Sequence, residues 1–209
     1  MGQDFWQGRV LLCGESGAGK DTVADMLQGR VSGRPVVRLA FADALKSQVH
    51  AMLSQAQAMF GWGDPASVRN LVRPADTSVK LLRGLWQAYG TDVVRRVDQT
   101  YWVRQLEERF RQVNGLTGAL VIVTDGRFAN EVAWCRRNNF LVVRVLRAGS
   151  RIDGAGGGHS SEHGLPSHED DPDWYDLVCE NNGSRRELEE WVDNILWDEV
   201  TRRWPGLRK

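Results

Sequence analysis

The chain has 209 residues, enough for one compact α/β domain with a sizeable core and too few for two. Its hydrophobic fraction of 42% and charged fraction of 26% are those of an ordinary soluble globular protein. Lys plus Arg total 27 and Asp plus Glu total 27, so no net field draws the chain to DNA, RNA or an anionic membrane, and any anion binding must be local.

Gly8 to Gly14 (GRVLLCG) is a short apolar run closing on glycine and reads as a buried strand. Lys20 to Gly29 carries Val23, Met26 and Leu27 at helical spacing and also ends on glycine. Pro35 to Phe41 is the next strand, followed by a helix from about Ala42 to Phe60 and a polar loop from Gly61 to Ser78. Val79 to Tyr89 is helical by pattern, with Gly90 as its stop, and a further helix spans about Thr100 to Val113.

Ala119 to Thr124 (ALVIVT) is the most apolar segment and predicts a central strand covered on both faces. Glu131 to Asn138 reads as a helix, Phe140 to Leu146 as a core strand, and Tyr175 to Glu180 as the last strand. Ser184 to Arg203 is an amphipathic closing helix. Arg147 to Asp173 is rich in Gly, His, Ser, Asp and Pro and reads as mobile, with DGAGGG at Asp153 to Gly158 as its flexible tract. Strands alternating with helices imply a parallel sheet with helices on both faces.

No run of about 18 apolar residues occurs, which excludes a membrane-spanning helix from the expectation. Met1 to Gln7 has no secretion-signal pattern. Cys13, Cys135 and Cys179 are too scattered for a zinc site and read as reduced, packed thiols, which fits a cytoplasmic location.

Gly14 to Lys20 is G-E-S-G-A-G-K and meets the G-x-x-x-x-G-K pattern between a strand and a helix. Glycines let backbone N–H groups turn inward and let phosphate oxygens approach without a Cβ in the way. The helix N-terminus favours an anion, and Lys20 adds a mobile charge for β- and γ-phosphates. Gly14, Ser16, Gly17, Ala18, Gly19, Lys20, Asp21 and Thr22 are therefore the expected nucleotide contacts. The residue after Lys20 is Asp21 rather than Ser or Thr. Magnesium coordination is accordingly open between Asp21 and a phosphate contact taken over by Thr22.

The Ala119 to Thr124 strand ends at Asp125-Gly126-Arg127, where ligands of open parallel sheets sit. Asp125 there either orients magnesium or caps the next helix. Arg127 suits bidentate pairing with phosphate. Glu131 faces either the cleft or solvent near the start of that helix. Arg83, Arg127, Arg147 and Arg151 are the arginines placed to supply charge to phosphoryl transfer. His159 to His163 fits H-x-x-E-H, but flanking glycines and Pro166 oppose the helix a zinc site needs.

The chain resembles the bacteriophage-type deoxynucleoside monophosphate kinases. The blocks that carry the resemblance are GESGAGKDT (Gly14 to Thr22), LLRGLWQAYGTD (Leu81 to Asp92), YWV (Tyr101 to Val103) and VTDGR (Val123 to Arg127) with Glu131 and Ala133. HSSEHGLP (His159 to Pro166) and NNGSxxEL (Asn181 to Leu188) complete the set. The resemblance implies a P-loop NTPase three-layer sandwich, nucleoside monophosphate kinase-like, forming a single domain over 1–209. It implies Mg2+ and ATP as donor, a deoxynucleoside monophosphate as acceptor, and location in the host cytoplasm if the source is viral. Arg83, Asp92, Trp102, Arg127 and Glu131 would line or support the acceptor pocket, and Arg147 would open a lid at about 147–168. Nine tryptophans suit a homodimer interface as readily as a core. Another small-molecule kinase, of the dephospho-coenzyme A or phosphomevalonate type, is the main rival reading. A nucleotide-binding switch without kinase activity is the lesser one.

Overall fold

Val10, Leu11, Leu12 and Cys13 are all sealed from solvent, as an unbroken apolar run must be when helices cover both faces of its sheet. They lie in β1 (Gly8–Cys13), the middle strand of a five-stranded sheet. The structure is a computed structural model describing residues 7–61, 84–149, 165–166 and 172–208. With β2 (Val36–Leu39), β3 (Leu120–Gly126), β4 (Leu141–Leu146) and β5 (Leu177–Glu180), the strand order is β2-β3-β1-β4-β5. Every pairing is parallel, with Val10 opposite Ile122 on one side and Leu141 on the other.

Two compact units divide the chain, one of Met1–Ala40 with Glu107–Lys209 and one of Phe41–Leu106. The first unit holds the sheet. Val10, Leu12, Leu120, Ile122, Leu141 and Val143 turn to one face. That face packs on α1 (Lys20–Arg30) through Val23, Ala24, Met26 and Leu27. Leu188, Val192, Leu196 and Val200 of the closing helix complete the layer. That helix runs as α5 (Arg185–Trp191), a π-helical turn (Val192–Leu196) and α6 (Trp197–Arg203).

On the opposite face α4 (Ala129–Arg137) lies against β1 and β4. Trp134 there meets Phe110 and Phe140 at ring-centroid distances of 5.5 and 5.9 Å. Each fully buried Val, Leu or Ile stabilises the fold by roughly 1.5–3 kcal/mol, so this three-layer core outweighs the surface ion pairs.

In the second unit α2 (Ala42–Phe60) ends where Gly61 turns left-handed at φ 66° and its amide bonds Gln57 O at 2.8 Å. α3 (Tyr101–Val113) begins here and runs on into the first unit. Gly90 does not stop its helix, contrary to the sequence expectation. A π-helical segment, Ala88–Arg95, carries the chain through it. The Trp102 indole N–H donates to Gly90 O at 2.9 Å, tying α3 to this segment. A Cβ at Gly90 would sit 2.8 Å from Leu45 Cδ2, so a larger residue there would have to displace the Leu45 side chain. Residues 62–78 of the expected loop and 79–83 of the expected helix lie outside the described residues.

Candidate functional site

β1 hands the chain to α1 through Gly14 to Gly19. Gly14 has φ 149°, and a Cβ there would sit 2.3 Å from the carbonyl oxygen of Val145. Gly19 has φ 100°, and a Cβ would meet Asn181 Nδ2 at 2.4 Å. Both positions therefore demand glycine twice over, for backbone angle and for space. The Gly14 amide donates to Gly126 O at 3.2 Å, which ties the loop to the end of β3. Ser16 is half-buried, Gly17 exposed and Ala18 sealed. Asp21 and Thr22 sit on the first turn of α1, exposed and half-buried respectively.

Lys20 is only 7% exposed, and its Nζ donates to Gly14 O at 2.9 Å and Glu15 O at 2.7 Å. Its pKa is lowered to about 8, first by burial and then by Arg127, while Asp21 and Asp125 act in the opposite sense. One lysine thus shares its field with the carboxylates and the arginine that the motifs single out. Beneath the loop, burial pushes the Cys13 thiol up to about 12, and its Sγ donates to Val143 O at 3.4 Å. That is an unreactive, packed cysteine, and Cys135 and Cys179 are buried as free thiols too.

β3 runs two residues past the expected strand end, to Gly126, so Asp125 lies within the strand and does not cap the next helix. Phe128, with extended backbone, holds the N-cap position. The cap is closed by Glu131, whose Oε2 accepts from Arg127 N at 2.8 Å and Phe128 N at 3.1 Å. Its own amide donates to Phe128 O at 3.0 Å. Glu131 is 2% exposed, which corrects the reading of it as a solvated helix residue. A carboxylate at a helix N-terminus satisfies orphan N–H groups and the helix dipole together, and here it also fixes the backbone of Arg127.

Arg147 is exposed immediately after β4. Asp21 is 83% exposed at its side chain and pairs with Arg38 at 3.3 Å, an arginine on β2 that the motif search passes over. Arg38 also bonds Asp25. Asn181 opens the NNGSxxEL block, which by itself assigns it no role in the site: it is 7% exposed, directly after β5, and donates from Nδ2 to Ala18 O at 2.8 Å. The signal was available, since each strand's carboxyl end borders the ligand crevice of a parallel sheet.

The first unit therefore brings together Lys20, Asp21, Asp125, Arg127 and Glu131 around the phosphate loop. In the second unit Asp92 is exposed on the π-helical segment and Trp102 is 3% exposed, edge-on to Tyr101 at 4.8 Å. Arg83, Arg151 and His159 to His163 lie outside the described residues, as does most of 147–168. Among the described residues no group of three His, Cys, Asp or Glu is placed to hold a metal, and no helix is long and apolar enough to cross a membrane.

A family model described as deoxynucleotide monophosphate kinase matches residues 66–192, more than half of the chain and beginning after the phosphate loop. Among solved structures, the chain is similar to an unliganded sugar kinase from Janibacter sp. HTCC2649. The TM-score is 0.51 and the identity 15%, over 98% of this chain and 99% of that one. It is also similar to TT1252 from Thermus thermophilus, with TM-score 0.45 and 19% identity over 91% of this chain and 98% of that one. The first likeness shows a shared fold. No curated protein matches.

Proposed function

The chain belongs to the deoxynucleotide monophosphate kinase family, and from that premise we propose that it moves the γ-phosphate of ATP to a deoxynucleoside monophosphate, giving ADP and the diphosphate. The observation that carries the reading is the buried Lys20 ammonium. It rests on two loop carbonyls, in the field of Arg127, Asp125 and Asp21.

Phosphoryl transfer asks the protein for alignment, charge neutralisation and exclusion of water. In this reading the amides of Gly14, Ser16, Gly17, Ala18 and Gly19 cradle the donor phosphates, with Thr22 on the adjoining helical turn. Lys20 leaves its resting carbonyls for the β- and γ-oxygens. Arg127, held by the Glu131 cap, and Arg147 stabilise the transferring group. Magnesium enters with ATP as part of the substrate. Asp21 and Asp125 offer the hard carboxylate oxygens that such an ion takes alongside phosphate. Arg83, Asp92, Trp102, Arg127 and Glu131 serve the acceptor, either lining its pocket or supporting residues that do.

The test is coupled ADP production from magnesium-ATP against a panel of dNMPs, NMPs, dephospho-coenzyme A and phosphomevalonate. ADP formation dependent on one or more dNMPs is the expected result. Silence on every nucleotide with turnover on another acceptor overturns the substrate assignment and leaves the kinase. Lys20→Ala is expected to lower turnover by several orders of magnitude in a folded protein.

A further inference from the structure

A loop that turns its N–H groups inward to receive phosphate turns carbonyls outward, and a buried carbonyl needs a partner. Ala18 is fully buried. Its carbonyl receives the side-chain amide of Asn181, a residue 163 positions later in the chain, at 2.8 Å. We propose that Asn181 is a positioning residue for the donor site: its amide holds the phosphate loop in its receiving shape before nucleotide binds. The proposal rests on Gly14 to Thr22 being that donor site.

Asn181 is itself rigidly placed. Its backbone N–H donates to Leu146 O at 2.7 Å, anchoring it to the end of β4. Asn182 accepts the Ala148 N–H on its Oδ1 at 2.6 Å, so one dipeptide holds both neighbours of Arg147. Just beyond, Ser184 N donates to Glu187 Oε2 at 2.6 Å, and Ser184 Oγ accepts from Glu187 N at 3.3 Å, which closes the cap of α5. A Cβ at Gly183 would sit 2.2 Å from that same Oε2, so a side chain there would push the capping carboxylate aside. The loop and the backbone around Arg147 are therefore referenced to a single anchor. Gly19 completes the fit, since a Cβ there would fall 2.4 Å from Asn181 Nδ2 and drive the amide off the loop.

A residue that only satisfies a buried carbonyl would affect melting and little else. A positioning residue acts selectively on the donor. The experiment compares the full chain with Asn181→Ala and with Asn181→Asp, which preserves shape and backbone bonds but places an acceptor against Ala18 O. If the alanine variant does not fold, the isosteric one carries the test. Two readouts are taken: hydrogen exchange of residues 14–22 without nucleotide, and magnesium-ATP titration with KM values for donor and acceptor.

Faster loop exchange, with ATP affinity and donor KM worsened about tenfold and acceptor KM unchanged, is the expected result for loss of one buried hydrogen bond. Loop exchange as in the wild type, or equal worsening of donor and acceptor KM, overturns the proposal. A wild-type chain that binds no ATP overturns the donor-site reading instead, while loop exchange still reports whether Asn181 holds the loop.

Discussion

The Gly14 amide donates to the Gly126 carbonyl across 3.2 Å, which ties the loop after β1 to the end of β3, between Asp125 and Arg127. The pairing of β1 with β3 that supports this bond shifts register between Leu11 and Cys13. A Cβ at Gly126 would lie 3.0 Å from both Cys13 Cβ and Leu11 Cδ1. Cys13 Cβ is fixed to the backbone, so relief requires the strands to part. Gly126→Ala is expected to destabilise by about 1–3 kcal/mol through overpacking and to reduce turnover further by displacing the loop. Thermal melting and ADP production check both parts. By contrast a Cβ at Gly29 in α1 meets nothing within 4 Å. Gly29→Ala should raise stability by about 0.5–1 kcal/mol, because alanine narrows the unfolded ensemble.

In the proposed reading the titration of Lys20 sets the pH dependence of donor binding. Its pKa of about 8 follows first from burial and then from Arg127. The charged form attracts phosphate, and it is lost as pH rises through that value. ATP affinity is therefore expected to be flat below pH 7 and to fall roughly tenfold per unit well above pH 8, read by titration calorimetry. Arg127→Gln removes one of the depressing causes, so it should move the fall to higher pH even as it slows transfer.

Glu131 carries a charge in a place that only its hydrogen bonds justify. Glu131→Gln keeps the volume but weakens the cap on Arg127 N and Phe128 N, for an expected loss of about 1–2 kcal/mol. In a chain of this size that lowers Tm by roughly 2–8 °C. Turnover should fall alongside, because the backbone of Arg127 is released. A variant with unchanged melting and unchanged kcat would remove Glu131 from this role.

Trp102→Phe retains an aromatic ring beside Tyr101 and deletes the N–H that Gly90 O accepts. Loss of that hydrogen bond should cost about 0.5–1.5 kcal/mol. Hydrogen exchange across Ala88–Arg95 is the direct measurement, and faster exchange there is the expected outcome. If Asp92 on that segment serves the acceptor, acceptor KM rises while donor KM holds.

Local chemistry determined much of this protein from the sequence. The turn between β1 and α1 was legible because its geometry is made of backbone, and the positive φ angles of Gly14, Gly17 and Gly19 demand glycine at fixed spacing. The strands were legible because burial on both faces leaves no polar position to interrupt an apolar run. α2 could be bounded at Ala42 and Phe60 because Gly61 supplies the left-handed stop within the same segment. Nothing local decided Gly90, where the same residue type continues a helix as a π turn because Trp102 and Leu45 hold it.

Three further features were settled only in three dimensions. Glu131 is buried rather than solvated because the strand end folds two N–H groups onto its carboxylate. Asp125 sits in β3 rather than on a helix cap. Asn181 reaches Ala18 only because β5 and β1 flank β4 in one sheet. Periodicity and turn chemistry act between neighbours in the chain, and the sequence spells them directly. A hydrogen bond between residues 163 positions apart depends on strand order, and only the assembled sheet decides that.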